Sequence, residues 1–468
     1  MKHTNFLILI LVFCYLQGQA SPNKAAFITY KHLTGLTYEA SIITYTQISS
    51  SIDRTVLNIK WGDGNTELIT RTSQEVIEVD LKKNVYTQTH TYTNHGIYSI
   101  SMQDSTRMPN ILNINGGNSD GFPFYVAAQL TIPNVNAYNN SIQLLSHPIL
   151  SAQVGERFSY TPTAYDVDGD ILSYELVTPQ VNHNTAVSAY QLITDVSPGS
   201  NNIYSFNSKT GTLTWDAPQQ AGWYNLTLKI SECRNGAIVG ATLVDYLIRV
   251  DFSLNAAFYN ELSATPNDTI APNDSIQISL NYSNNQADSI HLMAYSECLI
   301  NGNLATVSLD SVSTNYLGKT FQWIPTTLNA RCAPYVITLR GTTFLNNEQF
   351  SVDRTYLYYV RDASTTYCDT VCNGSTPINL IRERPLIAVQ TAPNPFSSQT
   401  TIQLLNDSDD AVYSFSLFNV WGQRVRYISS ILDREIILDR RALPVGVYIY
   451  KIENDSNGMA TGKLIVVD

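Results

Sequence analysis

Short runs in which apolar and polar residues alternate, cut by Gly, Pro, Asn, Asp or Ser, recur along almost the whole chain and leave it little choice but β structure. Ile43–Ile48, Asp274–Tyr282 and Tyr413–Phe418 show the pattern cleanly. A strand sends successive side chains to opposite faces, so such a run wets one face and buries the other. A helix needs apolar residues every three or four positions, and no segment sustains that spacing. Composition points the same way. Only 14% of residues are charged, against ~25% in an average soluble domain. Ser, Thr, Asn and 29 Tyr take their place, and β-branched and aromatic residues suit a pleated, half-buried surface. The chain is predicted to be all-β, a series of sandwiches.

The first residues carry a different signal. Lys2 and His3 precede an unbroken apolar run, Phe6–Tyr15, and Gly18-Gln19-Ala20 offers small residues for cleavage. This reads as a secretory signal peptide over 1–20, because ten apolar residues are too few for a membrane span. Phe13 precedes Cys14 where a lipid-attachment motif needs a small residue. No later stretch reaches the ~18–20 apolar residues of a transmembrane helix, so the mature chain is expected to be exported without a membrane span. A net charge of −11 without Lys/Arg clusters argues against nucleic acid as a partner.

The remaining residues make room for several domains. In a unit at 21–135, Trp61-Gly62-Asp63-Gly64 supplies a tight turn, with Gly reaching positive φ and Asp capping through its carboxylate. Together with His90-Thr91-Tyr92 and Gly96-Ile97-Tyr98, this resembles a PKD-like domain. His90 is expected to bond to the turn and His95 to sit in a loop, in preference to a metal pair. A unit at 136–252 carries Asp166-Val167-Asp168-Gly169-Asp170, then Thr210-Gly211-Thr212-Leu213-Thr214-Trp215, then Gly222-Trp223-Tyr224. That order resembles cadherin-like and Ig-like repeats of bacterial surface proteins. A third unit, 253–362, repeats the grammar more weakly, with Trp323 placed like Trp215 just before a Pro-containing turn. A linker at 363–391 follows.

The last residues, 392–468, read as a small sandwich. Pro393 and Pro395 mark its entry, Gly422 and Gly446 its turns, and Val447–Tyr450 a hydrophobic strand. The blocks "APNPFSSQTTIQLL", "YSFSLFNVWGQRVRYI", "LPVGVYIYKI" and "GKLIVV" resemble the C-terminal sorting domain of the type IX secretion system of Bacteroidetes-type bacteria. The resemblance implies that residues 392–468 engage that secretion machinery and that the protein is secreted or displayed at the outer cell surface.

Chemistry-bearing positions are few. Asp166, Asp168 and Asp170 wrapped about a loop, with Gly169 allowing the bend, would offer hard oxygen ligands suited to Ca²⁺. Val177 at the twelfth position excludes an EF-hand. In cadherin-like repeats the matching turn can bind calcium, which is the expectation for this cofactor. The alternative is a solvated acidic turn. In an oxidising compartment the cysteines are expected in disulfides, with Cys298 pairing Cys332 inside one sandwich, Cys368 pairing Cys372 locally, and Cys233 left over. Gly-x-Ser-x-Gly, His-Glu-x-x-His and phosphate-cradling Gly loops are all missing from the sequence. The reading is a non-catalytic adhesion or binding scaffold. The rival is a carbohydrate-binding or carbohydrate-processing surface protein; the partner is an unnamed surface protein or glycan.

Overall fold

In the computed structural model, residues 23–362 and 389–468 are described apart from short stretches within them, of which 405–412 is the longest. The leader at 1–20 and most of the linker at 363–391 fall outside. Regular structure among the described residues is strand, relieved only by three-residue 3-10 turns, so the all-β class is what the alternation produces. The chain divides into two compact units, Met1–Asn379 and Leu380–Asp468.

Seven strands of the first unit run side by side in the order Asn23–Thr34, Thr37–Gln47, Leu81–Thr91, Thr66–Glu78, Val56–Lys60, Gly96–Asp104 and Phe124–Ile132. An eighth, Ala237–Asp251, closes them into a ring. Its Gly240 and Thr242 pair with Leu130 and Ala128, while Tyr246 and Asp245 pair with Ala25 and Ala26. The same strand then continues beside Gly222–Arg234 and, in parallel, beside Leu150–Gln153. The break expected near residue 135 therefore does not separate two free-standing sandwiches. A strand from the second unit completes the first.

The cores explain why. Ala26, Ile28 and Tyr30 face the interior of the ring with Trp61 and Ile100. Ala25 and Phe27, on the opposite face, join Trp215, Tyr174 and Tyr246 in a second core. Strand Asn23–Thr34 is thus buried on both faces, which is why it reads "AAFITY" and not as an alternation. Burying apolar area on two sides contributes ~25 cal/mol per Å² on each.

The third unit is a sandwich of two four-stranded sheets around Ile278, Leu280, Trp323, Ile337 and Tyr356. It does not simply follow in series. The Thr161 amide donates to Asp353 (2.8 Å), Thr163 donates to Thr338 (2.8 Å), and Gln349 Nε2 donates to Glu78 Oε1 (2.6 Å). The last of these ties the third unit to the first. In the tail, a three-stranded and a four-stranded sheet enclose Phe396, Ile402, Phe415, Tyr450 and Leu464. Its first strand is Val389–Ala392, three residues ahead of the expected start.

Candidate functional site

The acidic turn lies between strands Ala164–Tyr165 and Ile171–Val177. Gly169 takes a φ of +83°, which costs an L side chain dearly. Asp166 Oδ1 accepts from the amides of Asp168 (2.9 Å) and Asp170 (3.0 Å) and so winds the turn around itself. One carboxylate oxygen from each Asp lies within 4.8 Å of the others. The expected cluster forms.

Its counter-ion was not expected. Arg234 donates from Nε and Nη2 to the two oxygens of Asp170 (2.7 and 2.6 Å), and from Nη2 to Asp168 Oδ2 (3.2 Å). The same guanidinium donates to the carbonyl of Tyr138 (3.2 Å) and to Asn139 Oδ1 (2.9 Å). Asp168 in turn accepts from the Asn140 amide (2.7 Å) and side chain (2.8 Å). The turn therefore grips segment 137–142, which leads from the ring into the second unit. Hydrogen bonds with Asp170 raise the Arg234 pKa further, against burial.

Beneath the turn sits Glu232, fully buried. It accepts from the Ile142 amide (2.7 Å) and the Asn139 side chain (2.5 Å), with the Tyr30 hydroxyl at 3.4 Å. A Cβ at Gly240 would collide with the Glu232 carboxylate and the Tyr30 hydroxyl, so only glycine fits there. Burial pushes Glu232 up to about 8, and the Asp166 charge adds to the shift. Burial likewise pushes Asp166 up to about 7, against the Asp170 amide and with help from the Asp170 and Asp168 charges. Arg234 thus bonds two of the four carboxyls, and desolvation with charge proximity favours the protonated form of the other two, Asp166 and Glu232.

Calcium wants six to eight oxygens. Here Asp168 and Asp170 are bound by Arg234 and Asn140, and the unspent atom is Asp166 Oδ2, which is buried without a hydrogen-bond partner. The donor set fits a cation in charge and spacing, with Arg234 already in that position. Sequence reasoning missed Arg234 and Glu232 because they lie some sixty residues downstream, in "SECRNG", where nothing local marks them.

The remaining expected positions sort cleanly. His90 Nε2 lies 2.8 Å from Asp63 Oδ2 and its ring stacks on Trp61 at 4.6 Å, while His95 is exposed. Burial opposes ionisation of Asp63, but the Asn65 amide and His90 outweigh it and hold the carboxyl low. The Cys298–Cys332 bridge is corrected. Cys298 is a free, buried thiol, its amide capped by Ser296 Oγ, and burial pushes it up to about 12. Cys332 is disulfide-bonded, and so is Cys233, the residue expected to be left over. Membership of one sandwich does not bring two cysteines to the ~5.5–6 Å Cα separation a disulfide needs. Cys368 and Cys372 lie outside the described residues.

Residues 391–467 match the family described as the secretion system C-terminal sorting domain. The tail is an export signal. It directs the chain through the type IX system to the cell surface or the medium, and no helix among the described residues is long and apolar enough to cross a membrane. Solved structures with tandem Ig domains resemble the chain distantly. The mouse nectin-like molecule 4 ectodomain is 8% identical, covering 69% of this chain and 97% of that chain, at a TM-score of 0.15. The Ig1-2 module of the Drosophila receptor protein tyrosine phosphatase DLAR is 10% identical, covering 47% and 99%, at 0.19. The first eight Ig domains of Down Syndrome Cell Adhesion Molecule are 8% identical, covering 94% and 49%, at 0.16. At such scores the likeness carries no argument about function. No curated protein matches the chain.

Proposed function

We propose that residues 23–362 form a non-catalytic binding body that the tail delivers to the cell surface, where it serves adhesion or acts as a scaffold. The observation that carries this reading is the coupling of export tail and fused sandwiches. An address is attached to three modules locked together by a shared strand and buried polar contacts. Such a body presents loops and grooves in a fixed arrangement, which suits recognition. The polar clusters found serve the module boundaries: Arg234 ties the acidic turn to segment 137–142, and Asp353, held within the third module by two hydrogen bonds of 2.7 and 2.9 Å from Arg340, accepts the Thr161 amide of the second. Cells displaying the full chain should adhere to polysaccharide-coated or protein-coated surfaces better than cells displaying the tail alone. Equal adherence on every surface would overturn the proposal. New reducing ends released from a bound polysaccharide would overturn its non-catalytic part.

A second proposal concerns the acidic turn: Ca²⁺ stiffens the junction between the first two modules by taking Asp166 Oδ2 together with oxygens of Asp168 and Asp170. The unpartnered, buried Asp166 oxygen favours it. Calcium should raise the melting midpoint of the wild type and leave Asp168→Ala unmoved. An unchanged midpoint for both removes the proposal.

A further inference from the structure

Where the second and third modules meet, two stretches of open cavity, about 350 and 770 Å³, share Ser159, Thr214, Asp353 and Arg354 in their walls and run together as one groove. Both sizes suit a ligand site. The strand alternation makes the floor. Phe158, Tyr160, Leu213 and Trp215 are buried in the core, which turns Ser159 and Thr214 outward. Strand Glu348–Val360 supplies the opposite wall with Ser351, Thr355 and Tyr359.

The charge of this groove is opposite to that of the chain. Arg157, Lys209 and Arg354 line it and are exposed, against Glu156. The other lining carboxylate, Asp353, is bound by Arg340. Three cations spaced along a hydroxyl-lined trough, in a chain of net charge −11, concentrate an anionic polymer locally. Half-buried Phe206 and Tyr359 in the larger stretch, the latter with the Arg361 guanidinium over its ring at 5.0 Å, offer apolar surface for a ligand ring to pack on. Hydroxyls both donate and accept, which matches a ligand made of hydroxyls. The wall strand Glu348–Val360 is paired on both sides, by Asp268–Ile270 and Tyr335–Leu345, and so offers a peptide no free edge to extend.

We propose that this groove binds a linear polysaccharide bearing carboxylates, with Arg157, Lys209 and Arg354 pairing its charges and Phe206 and Tyr359 stacking on its rings. The inference rests on the binding reading above and gives it a ligand class. It is tested on the full secreted chain by affinity electrophoresis through polygalacturonate, alginate and neutral dextran, at low and at high salt. Polygalacturonate or alginate should retard the wild type, and dextran should not. Salt should weaken the retardation. Arg157→Gln/Lys209→Gln/Arg354→Gln should weaken it about tenfold, as three exposed charge pairs together would. Tyr359→Ala should weaken it at unchanged salt dependence. The charge variant should keep the wild-type melting midpoint, because its three substituted groups are exposed. Equal retardation of wild type and triple variant, equal retardation by dextran, or displacement by an acidic peptide and not by oligogalacturonate would overturn it. Adhesion to protein surfaces without any polysaccharide retardation would sink the groove while leaving the adhesion reading standing.

Discussion

Two junctions between the modules of residues 23–362 bury charge, and they do it with opposite balance. Between the first and second modules, Asp166, Asp168 and Asp170 crowd around Arg234, and Glu232 lies beneath them. Between the second and third, a buried Arg340–Asp353 pair of the third module reaches the second, with Arg340 over Tyr160 at 5.4 Å and donating to the His147 carbonyl, and Asp353 accepting the Thr161 amide. A one-to-one pair in low dielectric is balanced and stiff. A surplus of carboxyls must be relieved by protons or by a cation. One junction is therefore a fixed bolt and the other responds to its surroundings.

The largest effect should come from the bolt. Arg340→Ala leaves Asp353 buried without its cation, and a loss of about 3–5 kcal/mol is expected in chemical unfolding. The double variant Arg340→Met/Asp353→Leu should lose less than the single one. A single variant no weaker than the double would break the contrast. Arg234→Ala should cost about 2 kcal/mol at pH 8, since its bonds go to charged partners at a partly exposed site, and less at pH 5.

That pH dependence follows from the buried carboxyls. Asp166 and Glu232 are held above their unfolded values, at about 7 and 8. Such groups favour the folded state fully below the usual carboxylate range, and the advantage is lost as pH rises through the folded values. The melting midpoint should fall from about pH 4.5 to about pH 8 and level off above it, and Glu232→Gln should flatten that fall. A midpoint that rises over this range would contradict the protonated pair. The smallest effect is at Cys298. Its thiol should resist alkylation in the folded protein and react on unfolding, because burial disfavours the thiolate. Cys298→Ala should cost only about 1 kcal/mol.

Much of the fold was legible because alternation is a local signal. Trp61, Trp215 and Trp323 lie within one residue of their strand ends and are buried, as their positions before turns imply, and His90 binds the Asp63 turn. The acidic cluster was legible as well, since a run of Asp around one Gly has few ways to fold. What could not be read depends on pairings across long separations. Arg234 meets Asp170 across 64 residues. Tyr246 meets Ala25 across more than two hundred. No local pattern in Ala237–Asp251 announces that its strand closes a ring begun at Asn23. The groove was equally hidden, for Arg157, Lys209 and Arg354 are scattered in sequence and converge only when the modules dock.

The fusion of the three modules is the claim on which a fixed groove and a responsive junction both depend. Trp61, Trp215 and Trp323 report on one module each, so three variants, each keeping one of them as its only tryptophan, can be unfolded in urea and followed by fluorescence. Fusion predicts one common midpoint, shifted together in all three by Arg340→Ala. Three separate midpoints, with Arg340→Ala moving only the Trp323 transition, would show modules strung in series and contradict the account.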